Sequence, residues 1–178
     1  MLRLNLKKEQ SREIIKIIVL LAIEEKSYNP FYKLLIDKLI FVDKTHKYTF
    51  HYTVWDHMKL MDSYNNRKIH NLANLVSDLL ALEKIAIPAI LPFEFENSSR
   101  SQITFINYIF DMYFEKSTID KTKLLFAKLV KNDDHVEFAK QLFNYFVNIF
   151  KRDISFDNKS NTYIENYSAA TKVLKRIL

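Results

Sequence analysis

Four histidines, His46, His51, His57 and His70, fall in one stretch with Asp56 and Asp62 close by, and these are the residue types of a metal site. Their spacing does not suit one. On a helix His51 and His57 stand about 600° apart and share no face, whereas a zinc-binding helix presents its pair at i, i+4. Carboxylates also come in pairs, Glu24 with Glu25, Glu94 with Glu96 and Asp133 with Asp134, but no base, nucleophile and oxyanion donor converge around them. Those positions fit solvated surface and helix ends. The chain has no Cys, which excludes disulfides, thiolate catalysis and cysteine zinc sites. It also has no Gly, which removes phosphate-binding loops of the Walker and dinucleotide types, where the backbone must approach an anion closely. The sequence reads as non-enzymatic, with no catalytic residue, metal, cofactor or small-molecule substrate.

Aromatic side chains are the remaining chemistry. The fourteen Phe and ten Tyr are types that stack on unpaired RNA bases, but at helical spacing they read as core. Trp55, beside Asp56, reads as a core residue with its indole proton satisfied, the other reading being an interface anchor. The formal charge of +6 is spread over both halves, which describes a solvated surface with a mild preference for polyanionic surroundings. Arg3, Lys7 and Lys8 ahead of the apolar run 14–23 imitate a signal peptide. Glu9, Glu13 and Lys16 interrupt the pattern, and the run is too short to span a bilayer, so a buried helix and no membrane partner are expected.

The elements that must position these residues are helical throughout. A chain of 178 residues is one domain's worth and buries about 70% of the surface its unfolded form exposes. Residues 2–6 alternate like a short connector. Helices are expected over 10–26, apolar all round in its second half and therefore central, and over 30–41, burying Phe31, Leu34, Leu35 and Leu39 with Lys33, Asp37 and Lys38 turned out. Pro30 suits a first helical position, with Asn29 ahead of it as cap. Residues 48–54 alternate like a strand, yet Phe50, Val54, Met58 and Met61 follow a helical step, and no second strand is available to pair, so a helix is predicted. The strongest periodicity lies in 66–83, with Ile69, Leu72, Ala73, Val76, Leu79 and Leu80 on one face and Asn71, Asn74 and Asp78 opposite. Pro88 and Pro92 allow one short turn between them. Further helices are expected over 100–115, 119–131, 134–151 and 163–178, with caps at Ser98 or Ser99, Thr118 and Asp133. The last carries Lys172, Lys175 and Arg176, enough for only weak, salt-sensitive contact with RNA phosphate. Eight or nine helices in antiparallel hairpins follow, without a visible sequence period.

With these residues in view, three features carry a resemblance. They are Arg12, Glu13, Ile14 and Ile15 opening a helix, the turn from Glu25 through Tyr28, Asn29, Pro30, Phe31 and Tyr32, and Thr49 and Phe50 followed by Trp55 and Asp56. The run Asn71, Leu72, Ala73, Leu75, Val76, Leu79 and Leu80 extends it. Together they resemble the MI domain of the nucleolar relatives of translation initiation factor 4G, the suppressor-of-glycerol-defect protein family, closely over residues 2–92 and loosely beyond. The splicing-factor branch with the same module fits the general pattern but lacks the Asn-Pro-Phe turn and the Trp-Asp pair.

The resemblance implies an all-α, HEAT-like solenoid of antiparallel helical hairpins, a single MI-type domain over 1–178, and a helix ahead of Leu2 that would make this a piece of a longer protein. It also implies a nucleolar or nuclear scaffold for small ribosomal subunit biogenesis and precursor 18S rRNA processing, partnered by pre-ribosomal particle proteins and a DEAD-box helicase of the initiation factor 4A type. Related domains hold the helicase through an acidic helix end and the loop after it, which here is 56–67. Asp56, Asp62 and Arg67 are therefore the expected partner-binding residues, and Arg12, Glu13, Tyr28, Asn29, Pro30, Phe31 and Trp55 the structural ones. The alternatives are an RNA-binding module contacting precursor rRNA directly and a pre-mRNA splicing scaffold with the same domain.

Overall fold

The computed structural model describes residues 8–177, so the alternating stretch 2–6 and the last residue lie outside it. Every regular element among the described residues is helical: α1 (Lys8–Glu24), α2 (Phe31–Val42), α3 (His46–Lys59), α4 (Asn66–Ala81), α5 (Arg100–Lys116), α6 (Ile119–Val130), α7 (Val136–Tyr145), α8 (Lys151–Asp153) and α9 (Asn161–Leu174). A π-turn over Phe146–Phe150 joins α7 to α8, so the two run on as one helix with a shifted register. The hairpins stack as a HEAT-like solenoid. In the first half α1 packs on α2, α3 and α4; in the second α9 packs on α5, α6 and α7; α4 and α5 lie along one another at the join.

Local chemistry sets the corners. Pro30 has helical dihedrals, φ −62° and ψ −12°, and the Asn29 side-chain oxygen accepts the Phe31 amide at 3.0 Å, so this pair starts α2. Asn65, Ser99, Thr118 and Ser160 cap α4, α5, α6 and α9. At α5 the Gln102 side chain returns a bond to the Ser99 amide, completing a capping box. The cap expected at Asp133 falls instead to Asn132, because a 3-10 turn over Asp133–His135 precedes α7. The strand-like segment 48–54 is helical inside α3, with Phe50, Val54 and Met58 buried on its inner side. Without a glycine, α4 ends on Glu83 in the left-handed region at φ 57°, where Glu83 and Lys84 amides return to Leu80 and Leu79. That conformation costs a side chain about 1 kcal/mol.

Two helices exchange the roles expected of them. α1 is peripheral: Ile15, Ile18, Val19, Ala22 and Ile23 are buried, but Ile17, Leu20 and Leu21 are about half exposed. α4 is central, and all residues from Asn71 to Leu80 are buried, including the polar side expected to face solvent. The reason is that Asn71, Asn74 and Asp78 have partners on other elements. The same partners rotate α2. It buries Ile36 and Ile40, turns Lys33 and Asp37 inward to Asp78 and Lys84, and leaves Phe31 and Leu34 exposed, contrary to expectation.

Geometry also shows a repeat that no sequence period displays. In the first half Asn71, six residues after the cap Asn65, donates to the carbonyls of Ile23 at 3.4 Å and Glu25 at 2.9 Å, at the C-terminal end of α1. In the second Asn166, six residues after the cap Ser160, donates to the carbonyls of Phe114 at 2.9 Å and Ser117 at 2.8 Å, at the end of α5. Each Asn thus satisfies carbonyls that a helix end leaves without partners. Packing differs between the halves: the second gathers Phe110, Phe114, Phe126, Phe146, Phe150 and Tyr167 edge to face, with Phe146 4.8 Å from Phe110. These rings are core, as their spacing predicts.

Replacing either asparagine tests the device. Asn166→Ala should cost about 2–3 kcal/mol in urea unfolding, because a wholly buried side chain loses two donated bonds and one accepted from Thr122. Asn71→Ala should cost less, about 1 kcal/mol, because Arg67 also donates to the Glu25 carbonyl. An equal or reversed order would show that the shared donor does not compensate.

Candidate protein-interaction surface

The surface is held from beneath by the Asp78 carboxylate. Asp78 is 5% exposed. Tyr28 Oη donates to it at 2.7 Å, Lys33 Nζ stands at 2.9 Å and Lys116 Nζ at 2.7 Å, so one side chain ties the α1–α2 turn, α2 and α5 to α4. Burial raises the Asp78 pKa, but hydrogen bonds from Lys116, Lys33 and Tyr28 together outweigh it and hold the carboxyl below its ordinary range. Burial, and then Asp78, push the Tyr28 phenol up, so it remains a donor. Around this group, Tyr32 Oη donates to Glu25 at 2.8 Å, and Arg67 donates to the carbonyls of Glu24 and Glu25. Every polar residue of the turn that the sequence singled out is accounted for by structure.

On the outside of this scaffold lie α3 and the link to α4. Asp56 is exposed and pairs only loosely with Lys59, at 3.1 Å and with both side chains in solvent. Asp62 is exposed in the 3-10 turn Met61–Ser63. Arg67 is turned inward, its guanidinium committed to the end of α1. The three expected partner-binding residues therefore do not share one face, and the two carboxylates alone point outward. Arg12 and Glu13 stand in solvent and, with Lys16, Thr45, Tyr48, Tyr52 and Asp56, border a groove of about 550 Å³ between α1 and α3. Phe31 is more than half exposed and fills no core position.

Trp55 meets half of its expectation. Its indole N–H is satisfied by the Pro88 carbonyl at 3.1 Å, but the ring is only half-buried and borders a second cavity. Each histidine has a different setting. His57 is bonded to Tyr64 through Nδ1, His70 to Asn74, and His46 and His51 are buried in α3. Among the described residues no group of three His, Asp or Glu could hold a metal ion, and no helix is long and apolar enough to cross a membrane. Sequence reasoning missed Lys33, Lys116 and Asn166. Lysines read as solvated, and a partner some forty residues away leaves no local signal.

The family model of the MA3 domain, the MI-type module, matches residues 1–86, the stretch that holds α1 to α4 and the turn bound by Asp78. This stretch is similar to an MA3 domain. The chain is also 26% identical over 132 residues to "Nucleolar MIF4G domain-containing protein 1" of Homo sapiens and of Mus musculus, covering 74% of this chain and 15% and 16% of those proteins. The chain thus spans only a small part of the length of these curated relatives. The MA3 match stops at the last turn of the first half. The second half, α5 to α9, repeats the asparagine device of the MA3 stretch in a more aromatic core.

Asp78 makes the MA3 stretch acid-sensitive in a defined way. A carboxyl held low in the fold supplies stability that is complete above its unfolded pKa, about 4, and fades as pH falls through its folded value. Asp78→Asn should cost about 3 kcal/mol in urea unfolding at neutral pH. The gap to the unsubstituted chain should shrink steadily below about pH 4; a gap independent of pH would rule out the ionised hub.

Proposed function

We propose that this chain is a non-enzymatic protein-interaction module of a nucleolar factor that helps assemble the small ribosomal subunit and process precursor 18S rRNA, working with a DEAD-box helicase of the initiation factor 4A type. The MA3 match and the nucleolar MIF4G relatives support this reading at the level of family. The observation that carries it to a surface is the division of labour among the polar residues of 56–67. Arg67 braces α1, whereas Asp56 and Asp62 stand in solvent at the end of α3 and just after it. Two outward carboxylates on a rigid support suit a basic patch on a partner, giving register and association rate. Rim charges of this kind act mainly through on-rate and salt dependence.

Titration calorimetry against the 4A-type helicase tests the proposal. The double variant Asp56→Lys with Asp62→Lys should weaken binding at least about tenfold, while Glu165→Lys on the far helix α9 should leave it unchanged. Binding that ignores the double reversal, or no binding by the unsubstituted chain, would contradict it.

A further inference from the structure

On the other side of the Tyr48 and Tyr52 ridge from the α1–α3 groove is a second cavity of about 280 Å³. It is bordered by Lys47, His51, Trp55, Pro88, Leu91 and His135, with the two tyrosines at its rim. Three observations separate it from an ordinary surface dent. First, Tyr48 and Tyr52 are 61% and 58% exposed although they belong to a helix whose other rings are packed, and Tyr52 meets Trp55 edge to face at 5.1 Å. Second, His51 is only 6% exposed, yet its Nε2 has no hydrogen-bond partner among the described residues, and the same is true of His135 Nδ1. A buried polar nitrogen left without a partner is costly, so two at one cavity ask for a ligand with donors and acceptors on its edge. Third, Lys47 is partly buried at this cavity, and no carboxylate among the described residues is ion-paired with it. Burial, and then the charge of Lys128, push the Lys47 ammonium down; burial, and then Lys47, push His51 down to about 4, leaving a neutral imidazole.

An exposed ring face, unpartnered ring nitrogens and a partly buried lysine without a paired carboxylate are the complement of one nucleotide: a base to stack, its edge to bond and its phosphate to neutralise the lysine. An apolar peptide side chain would leave both imidazole nitrogens unpaired and Lys47 without a counter-charge. We propose that this cavity binds one unstacked base of a single-stranded nucleic acid, stacked on Tyr52 against the perpendicular Trp55 ring and bonded at its edge by His51 and His135, with the adjoining phosphate on Lys47. The site lies off the Asp56 and Asp62 surface and does not depend on the helicase reading.

Trp55 is the chain's only tryptophan, so its fluorescence reports on this cavity alone. The full chain is titrated with a uridine octamer and, separately, a thymidine deoxyoctamer, with Trp55 emission and the anisotropy of labelled oligonucleotide read together. Saturable quenching by either oligonucleotide is expected, stronger for the octamer of ribose if the 2′-hydroxyl is also read. By anisotropy Tyr52→Ala should weaken binding about tenfold with unchanged circular dichroism, since its side chain is exposed. Two results would overturn the proposal: no binding of either oligonucleotide, or binding without a change in Trp55 or indifferent to Tyr52→Ala.

Discussion

The Asp78 carboxylate joins the first turn, α2 and α5 to α4. It sits on a helix buried on every side, and it accepts from a tyrosine of the first turn, a lysine of α2 and a lysine of α5. A carboxylate in such a place is tolerable only when its lone pairs are filled, and removing one partner of a buried pair costs more than forming it contributes. The hub therefore specifies geometry more than it adds stability. It sets the angle at which α2 leaves the turn, rotating Lys33 inward and Phe31 and Leu34 outward, and it fixes α5 against α4.

That arrangement decides which polar residues stay in solvent. Arg67 and Asn71 are consumed in satisfying the end of α1, as Asn166 is at the end of α5. What is left in solvent is the outer side of α3 and its link to α4, with Asp56, Asp62, Tyr48 and Tyr52. A rigid helix whose inner face is locked by Phe50, Val54 and Met58 presents these groups without an ordering cost on binding. Over residues 1–86 the interior polar groups thus hold shape, and these exterior ones stay in solvent.

The helices were legible from periodicity and cap chemistry, which act within a few residues. Asn29 with Pro30, Ser99 and Thr118 mark starts as expected, the caps Asn65, Asn132 and Ser160 came from the structure, and even the strand-like 48–54 yielded to the longer helical step of Phe50, Val54 and Met58. Burial was less legible. Hydropathy ranks α1 above α4 because it counts Asn71, Asn74 and Asp78 as polar, and it has no means of seeing that their partners lie on other elements. The same blindness hid Lys33 and Lys116. Of the candidate surface, Asp56 and Asp62, named from the sequence, stand exposed; Arg67 was named with them but faces inward, because its neighbour in space is the end of α1 rather than the loop in which it is written. The cavity beside Trp55 had no signature in sequence, since it joins α3, the turn at Pro88 and the start of α7.

Through its buried polar face α4 binds both halves into one cooperative unit. Native-state hydrogen exchange across a denaturant series tests it most directly. Amides of α4 should fall in the slowest class, and those of the buried sides of α1 and α5 should exchange through the same global opening. If α5 to α9 exchanged through a separate opening of lower free energy while α1 to α4 stayed protected, α4 would belong to the first half alone, and the account would fail.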